Sequence, residues 1–330
     1  MAARLHPAMP VQLPEVIDLR RISARDLVPL LEEEIRAWRE ELEWDFEKSA
    51  ELVRRFVDVR ALSGSALVDG GKVLGYAYYV LEENKGLIGD LFVTRDASGV
   101  EWENRLLDAA LAEIMANPAT TRIESQLMML HPAILRNTPF SEHLTAHDRN
   151  FMRIDLRSAQ FPESRVRHPI YIEKWDDHYL DAAAELISSA YSGHIDSRIN
   201  DQYRTAAGAR RFLFNIVQFP GCGAFFRAAS YVALDALTGR LCGISLASLV
   251  APDCGHVTQI CVSPAVRNTG VGYALLRQSL TGLQSMGCRS ASLTVTAANE
   301  DAVALYKRVG FHTLRRFSAW VWEDFQTCSH

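Results

Sequence analysis

Two stretches half a chain apart follow one pattern. The segment from Gly75 (GYAYYVLEENKGLIGDLFVTR) can be laid on the segment from Gly243 (GISLASLVAPDCGHVTQICVSP). Asp90-Leu91-Phe92-Val93 then falls on Gln259-Ile260-Cys261-Val262, Leu106-Leu107 on Leu275-Leu276, and Arg122-Ile123-Glu124 close to Arg289-Ser290-Ala291. The offset stays near 168 residues, about half of the 330. Identity is low, so what repeats is an order of elements. A period of this size means two similar units in tandem.

The second half reads as helices at 177–191 and 202–218, strands near 231–234, 241–249 and 257–262, and a helix at 270–286. A strand at 291–296, a short helix at 300–309 and a final strand at 311–322 close it. Leu275, Leu276, Leu280 and Leu283 form an apolar stripe at helical spacing, and Ser292-Leu293-Thr294-Val295 alternates as a half-buried strand does. The first half repeats the order with 24–38, 49–62, 66–68, 73–80, 87–93, 100–115 and 123–128. Residues 157–169 (RSAQFPESRVRHP) are polar and hold two prolines, as a linker would. The expected domains are 1–157 and 170–330, joined by 158–169.

At 48% hydrophobic and 23% charged residues, the chain is too apolar for a disordered protein. No apolar run approaches the ~20 residues of a membrane span. The N-terminus (MAARLHPAMPVQLPEV) lacks an apolar signal core, so the expected location is cytoplasmic, away from membranes. Residues 1–165 carry 20 Lys+Arg against 27 Asp+Glu, and residues 166–330 carry 15 against 13. Neither half is basic enough to point to nucleic acid. The six cysteines, Cys222, Cys242, Cys254, Cys261, Cys288 and Cys328, form no CxxC pair and no zinc spacing, so free thiols and no metal are expected.

The most informative stretch is Val262-Ser263-Pro264-Ala265-Val266-Arg267-Asn268-Thr269-Gly270-Val271-Gly272-Tyr273-Ala274, between an apolar strand and an amphipathic helix. Two glycines open that helix. A helix N-terminus offers unpaired N–H groups and partial positive charge, and missing side chains let a phosphate approach the backbone. Gly-x-Gly alone is also compatible with a plain tight turn. It is neither a Walker loop nor a full GxGxxG, since Leu275 takes the third glycine's place.

The run Arg267-Asn268-Thr269-Gly270-Val271-Gly272 closely resembles the Arg/Gln-x-x-Gly-x-Gly/Ala pyrophosphate loop of the GCN5-related N-acetyltransferases (the GNAT superfamily). The Val262-Ser263-Pro264 strand end is similar to that family's. So is the segment Asn299-Glu300-Asp301-Ala302-Val303-Ala304-Leu305-Tyr306-Lys307-Arg308-Val309-Gly310-Phe311, which resembles its Asn-x-x-Ala-x-x-Leu-Tyr-x-x-x-Gly-Phe signature. The resemblance covers about residues 170–325. It implies an α/β (α+β mixed sheet) fold: two tandem GNAT-like domains, each a mostly antiparallel twisted sheet flanked by helices.

The resemblance further implies acetyl-CoA, or another acyl-CoA, as co-substrate. Ile260, Cys261 and Val262 would pair their backbone with the pantetheine arm, Arg267 through Tyr273 would cradle the pyrophosphate, and Asn299 would hydrogen-bond the pantetheine. Tyr306 would point its hydroxyl at the thioester sulfur. A phenol with a pKa of ~10 is protonated at neutral pH and can protonate a departing thiolate; core packing between Ala302, Val303, Leu305 and Val309 is the plainer role for it. The general base is open. Gln259 stands where relatives often carry an acid, leaving His256, a water relay, or a substrate that arrives neutral.

The same alignment places Glu101 and Glu103 opposite Gly270 and Gly272. Two like charges ~4 Å apart cost about 4 kcal/mol at an effective dielectric of 20, so a pyrophosphate would be repelled there. A shifted register brings Arg95 and Gly99 to the loop instead, without a second glycine. The first half therefore reads as a degenerate GNAT-like domain that packs and shapes the acceptor cleft. The expected activity is N-acetylation of a primary amine, on a small molecule, peptide or protein, by a monomer or homodimer. Tandem architecture is similar to that of family members acetylating the amine of a small thiol conjugate, and the acidic first half mildly suggests a cationic acceptor. The alternative is a non-catalytic acyl-CoA sensor or scaffold.

Overall fold

The computed structural model of the chain describes residues 13–326, apart from 98, 131–137, 164, 220 and 222. The first half runs β1 (Glu15–Asp18), α1 (Ala24–Leu42), α2 (Glu47–Asp58), β2 (Ser63–Asp69), β3 (Lys72–Glu82), β4 (Lys85–Val93), α3 (Val100–Met115), β5 (Arg122–Gln126) and β6 (Leu144–Asp155). The second runs β7 (Ile170–Lys174), α4 (Leu180–Ala190), α5 (Asp196–Ile199), α6 (Ala206–Gln218), β8 (Ala224–Phe225), β9 (Tyr231–Asp235), β10 (Leu241–Ala251), β11 (Cys254–Val262), α7 (Val271–Ser285), β12 (Ser290–Thr296), α8 (Glu300–Val309) and β13 (His312–Glu323). Helices α3 and α8 begin and end where the periodicity predicts. The charged strand β6 and the short β1, β7, β8 and α5 were not legible in the pattern.

The strands form one mixed sheet in the order β1-β2-β3-β4-β5-β13-β6-β12-β11-β10-β9-β7, with β8 against β10. Among the described strands, β4–β5 and β11–β12 pair in parallel; the other strand pairings are antiparallel, and helices flank the sheet. The two halves exchange their last strands. β13 lies against β5 of the first half, from Ala319 opposite Gln126 to Glu323 opposite Arg122. β6 lies against β12 of the second half, from Ser290 opposite Asp155 to Thr296 opposite Arg149. The sheet is therefore continuous across the midpoint of the sequence.

Each half contains the same fork. β4 and β5 pair only over Lys85–Ile88 and Arg122–Ser125; β11 and β12 only over Cys254–Val257 and Ser290–Leu293. Beyond these four residues the strands diverge. A register shift on the other edge accompanies each divergence: Gly89 is skipped between β3 and β4, and Thr258 between β10 and β11. An extra residue bends a strand and increases its local twist, which carries it away from its parallel neighbour. The two bulges are 169 positions apart, in the register of the sequence alignment.

Apolar stripes hold the helices to the sheet. On α7, Val271, Ala274, Leu275, Leu276, Leu280 and Leu283 are buried, and on α3 Leu106, Leu107, Ala110, Leu111 and Ile114. The segment expected as a linker is instead a strap along α7. Gln284 donates to the carbonyls of Leu156 (2.6 Å) and Ala159 (3.1 Å), Arg277 to that of Phe161 (3.1 Å) and Tyr273 to that of Pro162 (2.8 Å). Its composition is polar because it lies on the surface, but these four backbone carbonyls are partnered. No helix among the described residues is long and apolar enough to cross a membrane.

Candidate active site

Between β11 and α7, Asn268 and Gly270 take left-handed backbone angles (φ +62° and +93°), and Gly270 caps the helix. The turn brings the N-terminus of α7 to the mouth of the β11–β12 fork. A cavity of about 580 Å3 lies there. Ile260, Cys261, Val262, Arg267, Asn268, Gly270, Gly272, Tyr273 and Asn299 line it, together with Tyr191 and His194. Three of the residues expected at the site are not in its wall. Val271 is buried in the core, Thr269 turns its hydroxyl to the carbonyl of Val266 at 2.7 Å, and Tyr306 packs in the cluster behind the fork.

The two glycines are needed for different reasons. A Cβ on Gly270 would sit 2.6 Å from the carbonyl oxygen of Arg165 in the strap, at a φ that favours glycine. A Cβ on Gly272 would touch only Val262, at 3.9 Å, so the space it leaves belongs to the cavity. Arg267 does not point its guanidinium freely into that space: Nη2 donates to the carbonyl of Ala190 at the end of α4. Its charge there complements the negative end of a helix. Asn299 caps α8, its side-chain oxygen accepting from the N–H of Ala302 at 3.4 Å.

Beyond Val257, the backbone of Thr258–Val262 keeps β10 on one side and, among the described residues, has no strand on the other. Buried backbone groups seek partners, and an extended ligand carrying amides can lie against such an edge as an added strand. Tyr306, 7% exposed, meets Phe311 edge-on at 5.9 Å. Burial, with a smaller contribution from Asp196 and Cys261, pushes its hydroxyl well above the usual phenol range, so it keeps its proton. Cys261 is likewise held protonated, its thiol pushed up to about 12 by burial. Cys242, Cys254 and Cys288 are also free thiols; Cys222 and Cys328 lie outside the described residues.

His256 does not fit the role of base. It is buried against Trp44 (5.1 Å between ring centroids) and Phe151, with Nδ1 2.9 Å from Ser292 Oγ. Burial alone lowers its pKa to about 4, so it stays neutral within a core that both halves build. Its place early on β11, before the bulge, leaves it outside the cavity wall. A group that the sequence motifs missed surrounds Gln259 instead. Gln259 donates to Tyr191 Oη (3.0 Å) and accepts from Tyr203 Oη (3.4 Å), and the two tyrosine rings stack at 4.6 Å. His194, beside the left-handed Gly193, accepts the N–H of Asp196 on Nδ1 (3.2 Å). No local spacing announces these residues; the only cue is the break after α4.

At its own fork the first half keeps the glycine cap but packs apolar side chains around the strands. Gly99 caps α3 as Gly270 caps α7, and the connection 94–99 is two residues shorter than 263–270. The cap thus equates Gly99 with Gly270 and Glu101 with Gly272, which corrects the register that set Glu101 on Gly270. Arg95 pairs with Glu40 at 2.8 Å. Around the diverging strands, Leu91, Leu127, Leu130, Trp320 and Trp322 form one buried cluster. Among the described residues no group of His, Cys, Asp or Glu could hold a metal ion.

The fold is a mixed α/β sheet flanked by helices, with a cavity beside the fork of its second parallel pair. Residues 155–311 match the Acetyltransferase (GNAT) family. Over 94 residues it is 34% identical to the mycothiol acetyltransferase of Mycobacterium sp. (strain JLS), a match covering 26% of this chain and 30% of that protein. The chain thus spans less than a third of that relative's length. A GCN5-related N-acetyltransferase from Sphaerobacter thermophilus superposes with a TM-score of 0.70 at 19% identity, covering 94% of this chain and 97% of that one. A tandem GNAT protein from the clavulanic acid biosynthesis pathway does so with a TM-score of 0.58 at 15% identity, covering 94% and 98%. At such identities the likeness is one of fold.

Proposed function

We propose that the protein is an acetyl-CoA-dependent N-acetyltransferase that acetylates a primary amine by direct attack on the thioester. Its active site lies in residues 170–330, with 1–157 a degenerate partner domain. One observation carries this reading: the open strand edge 258–262, the glycine-capped start of α7 and Asn299 share one cavity, with Tyr306 packed behind the fork.

Acetyl-CoA, when bound, supplies the thioester carbonyl. Residues 260–262 hold the pantetheine as an added strand, and Asn299 assists. Residues 267–273 receive the pyrophosphate on backbone N–H groups, with Gly272 leaving room. A strand N–H near Val262 stabilises the oxyanion. Tyr306 keeps its proton through neutral pH and donates it to the leaving sulfur. With glutamine at 259 and His256 in the core, the amine's proton leaves through water. The mycothiol acetyltransferase match supports a small-molecule amine over a protein one.

Calorimetric titration of acetyl-CoA, followed by detection of free CoA thiol with glucosamine, cysteine, spermidine and a lysine peptide as acceptors, tests the reading. Binding at one site and thiol release with an amine are expected. Binding without release from any amine would favour a sensor; no binding would overturn both.

A further inference from the structure

The chain between α4 and α6 has two faces. One presents Tyr191, His194 and Tyr203 to the fork. The other is gripped by side chains of the first half. Arg122 donates through Nη2 to the carbonyls of Arg198 and, at 3.4 Å, Ile199. Glu124 accepts the N–H of Asp201 at 3.0 Å. Lys85 pairs with the Asp201 carboxylate and lies 3.4 Å from Glu124, which is 2.6 Å from Arg122. The side chains of Lys85, Arg122 and Glu124 are only 6%, 6% and 9% exposed.

Such a cluster is a poor source of stability, because desolvating the ions offsets most of their attraction. What it does is fix geometry. Two carbonyls and one amide of a single loop are tied to β5, and the Asp201 carboxylate to Lys85 of β4, strands that form the fork of the other half. The loop's near end is tied as well: Asp196 accepts from Thr296 and lies 3.5 Å from Arg149 of β6.

We propose that Lys85, Arg122 and Glu124 are positioning residues for the acceptor side of the active site, holding residues 196–204 so that Tyr191, His194 and Tyr203 frame the fork. This rests on the fork being the active site. The degenerate half thereby acquires a defined role, as the template for a loop of the catalytic one.

Hydrogen exchange on the full chain reads the loop directly, without an acceptor. Glu124→Ala is expected to speed exchange at 196–204 by about tenfold or more while β11 stays protected. Acetyl-CoA affinity should remain within about twofold, and KM for the best amine of the acceptor panel should rise about tenfold with a smaller change in kcat. Glu124→Gln, which keeps an oxygen for the Asp201 N–H, should recover most of both effects. Unchanged exchange at 196–204 in a folded Glu124→Ala that binds acetyl-CoA normally would overturn this proposal alone. Failure of the wild type to bind acetyl-CoA would overturn the underlying reading instead.

Discussion

Strands β4 and β11 occupy matching places in the two halves of the sheet. Both bend at a bulge, both pair in parallel with the next strand for four residues, and both lead through a glycine cap into a buried-face helix. Around β4, Trp320 and Trp322 of the exchanged strand pack with Leu91 and Leu127. Alongside β11 lies a cavity of about 580 Å3. The loop into α3 is two residues shorter, and Glu101 stands at the position of Gly272. The same topology is therefore compatible with two fates, and a few side chains around the fork separate them. This comparison also explains why neither half need be self-sufficient: each borrows the strand that covers its parallel pair.

The largest effect should come from the borrowed strand. Trp322 is fully buried, and Trp322→Ala should cost about 3–5 kcal/mol, as large-to-small core changes do. Because β13 bridges both halves, denaturant unfolding followed by fluorescence and by circular dichroism should remain a single transition. Two separated transitions would mean that the halves fold independently.

Next comes the loop. Gly272→Glu copies the first half's Glu101 into a position with room for a side chain. Repulsion of about 4 kcal/mol at ~4 Å should weaken acetyl-CoA binding by at least about 100-fold, with little change in Tm. Unaltered affinity in calorimetry would show that the ligand does not use this helix end. The reciprocal Glu101→Gly should create no binding in the first half.

Tyr306→Phe should lower kcat by about 100-fold, the scale of a lost general acid, and leave acetyl-CoA affinity unchanged. Since burial holds the hydroxyl above the usual phenol range, the wild-type rate should show no loss from its ionisation up to about pH 10. A kcat within twofold of wild type would reduce Tyr306 to packing.

The smallest effect concerns a feature of the first half only. Glu34 lies on the apolar face of α1, fully buried, accepting from Tyr76 (2.8 Å) and Trp38 (3.2 Å) and sharing a hydrogen bond with Asp90. Burial, then the charge of Asp90, raises its pKa well above the ordinary value. The folded state therefore holds a proton that the unfolded chain releases above pH ~4.3, so stability falls as pH rises from there. Glu34→Gln should gain stability relative to wild type as pH rises from 5 to 8. A gain that does not grow with pH in thermal melts would mean that the native carboxyl is already ionised.

The readable parts of the site were local ones. The run Arg267–Tyr273 and the segment Asn299–Phe311 keep their partners within a turn or two, so their spacing survives in one dimension. The helical stripes of α3 and α7 were legible for the same reason. β6 was missed because its partners, β12 and β13, lie more than 130 residues away and because Asp148, Arg149, Arg153 and Asp155 give it the charge of a loop. His256 misled because a strand-end histidine carries no mark of the tryptophan that will cover it. The strap looked like a linker because only α7 reveals where its carbonyls go.

By itself, then, the chain's order of residues determined two similar units, a glycine-capped loop at 267–273, and a tyrosine helix, both resembling one family. These follow from periodicity, glycine and capping chemistry, which act over a few residues. Tertiary structure alone decided which half lends which strand, that 156–162 is bound along α7, that His256 is core, and that Lys85, Arg122 and Glu124 seize a loop of the other half. Those outcomes depend on pairings between distant segments. The free energy of such a contact belongs to both partners, and neither one's local sequence records it.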